Sequence, residues 1–132
     1  MGGTTTMFKI THRTLRNPHF MAGLNKLTNH DGYKDFKTTY NITRIGATVR
    51  DVAKDAEDVF LKMVKAHGTI TDNNFEIPDE NKEKWLDEVE KFYDHEISIE
   101  RHPLKVSDVE SVKLTPVELD AMAFMIEDLD SF

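Results

Sequence analysis

A chain of 132 residues without cysteine is sized for one domain that buries roughly two-thirds of its unfolded surface unaided, and it excludes disulfides, cysteine-ligated zinc and thiol catalysis. Its longest apolar run, "AMAFMI" at 121–126, is far short of the ~20 residues a bilayer span needs, and the N-terminus lacks the basic and apolar regions of a secretion signal. The net charge of -7 hides a split: residues 1–50 carry 8 Lys/Arg against 2 Asp/Glu and residues 51–132 carry 9 against 22, so a +6 segment and a -13 segment should attract each other or different partners, and the acidic excess argues against direct nucleic-acid binding.

Residues 1–6, "MGGTTT", have no periodicity and read as a flexible lead-in, leaving 7–132 as a single α+β domain. "MFKIT" is a short strand. Asn17 then offers an N-cap and Pro18 a first helical position where a missing N–H costs nothing. Phe20, Met21, Leu24 and Leu27 give that helix an apolar face. "NHDGY" breaks it.

Residues 35–67 contain no proline and read as one helix of about 50 Å, stopped by Gly68 in the C-terminal position where glycine is common. Ile42, Ile45, Val49, Val52, Ala56, Val59 and Met63 recur at alternating spacings of 3 and 4, the pattern of a coiled-coil seam, with Ala53, Phe60 and Val64 widening it. Two readings stay open: the stripe is the buried face of a central core helix, or Ile45, Val49, Val52, Val59 and Met63 are an interaction seam through which copies associate. Gly46, Ala47 and Ala53 allow another element to approach closely, since helix propensity alone would not select a glycine there.

"TITDNNFEI" reads as a small hairpin turning at Asp72, Asn73 and Asn74. Pro78 opens a third helix with Trp85, Leu86, Val89, Phe92 and Tyr93 on its inner face. Alternation over 96–100 puts Ile97 and Ile99 on one side and Glu96, Ser98 and Glu100 on the other, as in a half-buried strand. "SDVE" at 107–110 matches a capping box, and "TPVE" at 115–118 matches it better. The latter opens a final helix from Pro116 to about Leu129 that turns Leu119, Met122, Ala123, Ile126 and Leu129 inward. The architecture expected is mainly helical α+β, a long central helix packed by the third and last helices, with one small antiparallel sheet built from the hairpin and the 96–100 strand.

Chemistry-bearing patterns are sparse. "HEISIERHPL" brings His95 and His102 near two glutamates, but seven residues of strand separate the histidines by about 23 Å, and a site for a divalent metal needs its ligands on one face. No Gly-x-Ser-x-Gly elbow or phosphate-cradling glycine loop occurs. A carboxylate pair for hydrolysis would need a cleft. No catalytic residue, metal or cofactor is therefore expected.

The order of the segments "KIT", "LNKL", "KTTYNITRIG", "HGTITDNNFEI", "W..EVEKF", "EISIERHPL" and "LTPVELDAMAFMI" resembles small accessory proteins of unknown function in tailed bacteriophages and prophages. The resemblance spans residues 7 to about 129. It implies a compact protein working through contacts with a phage or host protein, in the virion or in the infected-host cytoplasm, without a membrane. Self-association through the 45–63 seam is one form of such contacts. The rival reading is an acidic inhibitor mimicking nucleic acid on a host nuclease or polymerase, with Glu118, Asp120, Glu127, Asp128 and Asp130 as the mimic; its complex would weaken steeply with salt.

Overall fold

The computed structural model describes residues 7–72 and 74–127. Strand β1 (Phe8–Thr11) leads into a one-turn helix α1 (His12–Leu15), then α2 (Pro18–Asn29) and the long α3 (Phe36–His67). A hairpin, β2 (Thr69–Thr71) and β3 (Asn74–Glu76), is followed by α4 (Lys82–Asp94), β4 (Glu96–Ile99), a one-turn α5 (Val106–Val109) and α6 (Pro116–Met122). The chain is mainly helical α+β, as the sequence implies. The expected lead-in at 1–6 lies outside the described residues.

Caps fix the helix starts. The Asn17 side chain accepts from His19 N–H at 2.9 Å, with Pro18 at the first helical position, and Asp35 Oδ1 accepts from Thr38 N–H at 2.8 Å to open α3. In the capping box of α6, Thr115 Oγ1 accepts from Glu118 N–H at 3.2 Å while Glu118 Oε1 accepts from Thr115 N–H at 2.9 Å. The weaker match at 107–110 is shifted: Asp108, not Glu110, reaches back, accepting from Lys105 N–H at 3.0 Å. The third helix also starts later than Pro78, because a 3-10 turn at Asp79–Asn81 comes first.

The single sheet expected from the hairpin and the 96–100 strand resolves into two separate ribbons. β4 pairs antiparallel with β1, opposing Phe8 to Ile99 and Ile10 to Ile97. That register puts the apolar residues of both strands on one face, whereas the apolar pair of the hairpin, Ile70 opposite Phe75, is engaged elsewhere, the Phe75 ring standing 5.8 Å from Phe60 and 5.6 Å from Trp85. The hairpin itself forms where expected, with Asp72 at φ 49° taking the left-handed turn position. Asn73 lies outside the described residues.

The final helix is shorter than its pattern. It ends at Met122, a 3-10 turn covers Ala123–Met125, and Ile126 bridges to Leu104 with Leu104 N–H donating to Met125 O at 2.7 Å. Residues 128 and 129 lie outside the described residues. Nor does α6 pack chiefly on α3. It lies along α2, drawn close because Gly23 leaves room that a Cβ would take, only 2.5 Å from Met122 Sδ.

The buried face of α3 comprises Ile42, Ile45, Gly46, Val49, Ala56, Phe60, Met63 and Val64. Phe60 takes the place that the seam pattern gave Val59. From Ile42 to Phe60 is 18 residues, about five turns at 3.6 residues per turn, so Phe60 is in phase with Ile42 and Val59 is about 100° out. A 3.5-residue seam drifts off a straight helix, and the core follows the straight helix. α4 covers the C-terminal half through Trp85, Val89 and Phe92. Leu86, expected on that inner face, is 59% exposed, because the residue after Trp85 is turned about 100° from it.

Candidate interaction surface

The seam residues separate into two environments. Ile45, Val49 and Met63 are buried in the monomer core and Val52 is half-buried, whereas Val59 is 47% exposed. They form no continuous outer stripe. Gly46 allows the close approach its identity suggests, with a Cβ there falling 2.5 Å from Thr28 Cγ2 of α2. Ala47 is exposed and serves no such contact.

The charge split is met within the fold. Arg13 reaches Glu90 at 3.3 Å and Asp94 at 3.1 Å, Arg16 reaches Glu57 at 3.0 Å, and Lys26 reaches Glu118 at 2.7 Å. Each pair joins a cation from the first 50 residues to an acid from the rest. The Lys26 ammonium, then the Thr115 amide, holds the Glu118 carboxyl below the usual carboxylate range. Of the acids proposed as a nucleic-acid mimic, Glu118 is thus buried and paired, Asp120 and Glu127 are exposed, and Asp128 and Asp130 lie outside the described residues.

His95 and His102 do not converge. His95 caps the end of α4, its ring stacked on His12 at 5.5 Å with the planes 25° apart, while the His102 carbonyl accepts from Asn41 Nδ2 at 3.3 Å. Among the described residues no three His, Asp or Glu side chains are grouped to hold a metal. The His12–His95 pair fails for a separate reason: ring nitrogens present their lone pairs in the ring plane, and two nearly parallel planes do not meet at one ion.

His12 itself was not legible as special. It is buried against Phe92, ring centroids 4.2 Å apart, and its Nδ1 has no hydrogen-bond partner among the described residues. Burial, then the neighbouring His95, pushes its pKa down, so the folded state favours neutral imidazole and the unfolded chain binds the extra proton. Stability from this group is complete above the unfolded value of about 6.5 and is lost as pH falls below it toward the depressed folded value. Urea midpoints between about pH 7.5 and about pH 5.5 should therefore fall more in the wild type than in His12→Leu. Equal slopes would remove His12 as the cause.

What the sequence reading missed is the outer face at the start of α3. Phe36 is 77% exposed and Tyr40 65%. Spaced i, i+4, they share one side of the helix, about 240° and 200° from Ile42 and so directed away from the core. The signal was present as two aromatics out of phase with the apolar stripe. Lys34, Lys37 and Arg44 flank them and form no close ion pair among the described residues. Asp35 is committed to its cap, its carboxyl held low first by the Thr38 amide and also by Lys34 and Lys37. A shallow open groove runs along the start of α3, its lining including the cations Lys34, Lys37 and Lys105 and the acids Asp35, Asp108 and Glu127.

No family model, curated protein or solved structure matches this chain. No helix among the described residues is long and apolar enough to cross a membrane. Two large aromatic faces left in water beside three cations are the composition of an interface anchor: aromatic surface for burial, with a charged rim to steer and orient the partner.

Proposed function

We propose that the chain is a non-enzymatic component of a tailed-bacteriophage particle, or of its assembly in the infected host, and that it acts through protein–protein contacts. The observation carrying the contact reading is the Phe36–Tyr40 pair with its flanking cations. Aromatic residues anchor interfaces because they bury much area at little entropic cost. The phage assignment rests on the resemblance in the order of segments. The 45–63 stripe contributes stability rather than contact in this reading, since Ile45 and Val49 are core residues.

The test is a photo-crosslinking phenylalanine analogue in place of Tyr40, in cells producing the particle, with Asp58 as the control position farther along α3. A discrete adduct with a particle or assembly protein from position 40, and none from position 58, is the expected result. No adduct from position 40 would overturn the contact reading. Turnover of phosphodiester or glycoside substrates by the purified chain would overturn the non-enzymatic one.

A further inference from the structure

The acidic counterpart to this surface is on the same molecule. From Asp79 to Glu96 the chain carries eight Asp/Glu against three Lys, all of these acids exposed. Among them Leu86 stands out into solvent at 59% exposure, one turn from Glu83 on the outer side of α4, with Glu90 one turn further on and already held by Arg13 at 3.3 Å. One end of the fold thus presents aromatic anchors among cations, and the other an apolar anchor among acids.

These two surfaces cannot satisfy each other within one molecule. α4 is fixed to the far half of α3: Trp85 and Phe92 stand 5.7 and 5.8 Å from the Phe60 ring, and Glu88 reaches His67 at 2.9 Å. Phe36 and Tyr40 lie 24 and 20 residues earlier on the same helix, about 36 and 30 Å away at 1.5 Å per residue. That is several Debye lengths at physiological salt, where one is about 8 Å. The α3 helix holds complementary patches apart, and only another molecule can bring them together.

Resting on the contact reading above, we infer that the Phe36–Tyr40 surface docks on the outer face of α4 around Leu86 in a second copy of this chain. The contact is head-to-tail, joining different patches, and so leaves one of each unfilled on every dimer. Repetition generates a ring if the rotation closes and a filament if it does not. A repeating contact of this kind suits an assembly component. Charge complementarity sets the orientation, and the apolar anchors supply affinity.

The experiment uses two variants of the full chain that change only exposed side chains, the double variant Phe36→Ser/Tyr40→Ser and the single variant Leu86→Lys. By sedimentation equilibrium at low salt, the wild-type mass should rise with concentration beyond that of a dimer, and in about 0.5 M NaCl it should fall only in part, because screening removes the charge contribution and leaves the apolar anchors. Each variant alone should associate roughly tenfold more weakly or less, as loss of an interface anchor does. Mixed, they should form a one-to-one dimer and nothing larger, because the only intact surfaces left are one from each. A wild type that stays monomeric, or a mixture that does not pair, overturns the inference. So does a fluorescent single-stranded oligonucleotide that binds the wild type and not the Phe36→Ser/Tyr40→Ser chain, which would make the aromatics a base-stacking platform. If the wild type is monomeric yet position 40 crosslinks to another particle protein, the self-docking fails and the contact reading stands. If neither occurs, both fail.

Discussion

Phe60→Ala should lower the free energy of unfolding by about 3–5 kcal/mol, while Val59→Ala, one residue away, should change it by no more than about 0.5 kcal/mol. Phe60 is the centre of the aromatic cluster that holds three elements together. Its ring lies 5.8 Å from Phe75 on the hairpin, 5.7 Å from Trp85 and 5.8 Å from Phe92 on α4. On the remaining side the Arg16 guanidinium sits 4.2 Å from the ring centre, a cation–π contact that α1's neighbourhood adds. Removing the ring leaves a cavity that cannot collapse without moving both the hairpin and α4, which puts the cost in the upper part of the range for such truncations. Val59 faces water, and trading a β-branched residue for alanine on an exposed helix face recovers helix propensity. Urea unfolding followed by far-UV circular dichroism measures both. The reverse ranking would mean that the buried face follows the 3.5-residue seam, and with it that copies associate along 45–63.

The contrast between those two neighbours shows where sequence reading reaches and where it stops. Capping chemistry is local, so Asn17, Pro18 and Thr115 identify helix starts that the structure contains, and Glu118 reaches back to Thr115 as its spacing implies. The length of α3 is legible for the same reason: no proline interrupts 36–67, and Gly46 alone is too little to end a helix. Which strands pair is not local. The 96–99 strand chooses β1 over the hairpin because Phe8 and Ile10 match the apolar face of Ile97 and Ile99, a fact about residues almost 90 positions apart. Phase is intermediate. Both Val59 and Phe60 fit an apolar pattern, and the choice between them depends on accumulated twist over five turns and on whether the cover is another copy or the chain's own α4. The outer face at the start of α3 went unread because the apolar stripe drew attention to residues in phase with Ile42. Phe36 and Tyr40 are large and hydrophobic, but their phase turns them outward, and only the fold shows that they stay largely exposed among the described residues. The charge split was visible in composition. Its resolution into Arg13, Arg16 and Lys26 pairs, with no close ion pair to Lys34, Lys37 or Arg44 among the described residues, required knowing what packs beside what.

Gly68→Ala should destabilise the protein by about 1–3 kcal/mol, for a reason different from the one its position suggests. A glycine just past a helix commonly supplies a left-handed residue, but Gly68 has φ -163° and ψ -153°, an extended conformation open to any residue. What the position lacks is room. A Cβ there would collide with the carbonyl oxygen of Glu76 and fall 2.9 Å from Ile77 Cδ1. Glu76 is held to the end of α3 by the ladder, opposite Thr69, and Gly68 N–H itself donates to Val64 O at 2.7 Å. Asn81, just before α4, donates from Nδ2 to His67 O at 2.8 Å, so the helix end, the hairpin and the approach to α4 meet around one residue. Alanine's smaller unfolded-state entropy returns only about 0.4–1 kcal/mol, less than the cost of moving backbone. Gly23 and Gly46 make the control, because there the obstructing atoms, Met122 Sδ and Thr28 Cγ2, belong to side chains, and both positions would gain the roughly 1 kcal/mol by which alanine exceeds glycine inside a helix. Gly46→Ala is accordingly expected to cost less than Gly68→Ala in thermal denaturation. In Gly68→Ala the near-ultraviolet signal of Trp85 should weaken as well, since Phe75 leaves its contact with that ring when the hairpin shifts. A Gly68→Ala protein as stable as the wild type, with its Trp85 signal intact, would show that the hairpin yields freely and that the junction does not anchor α4 to the end of α3.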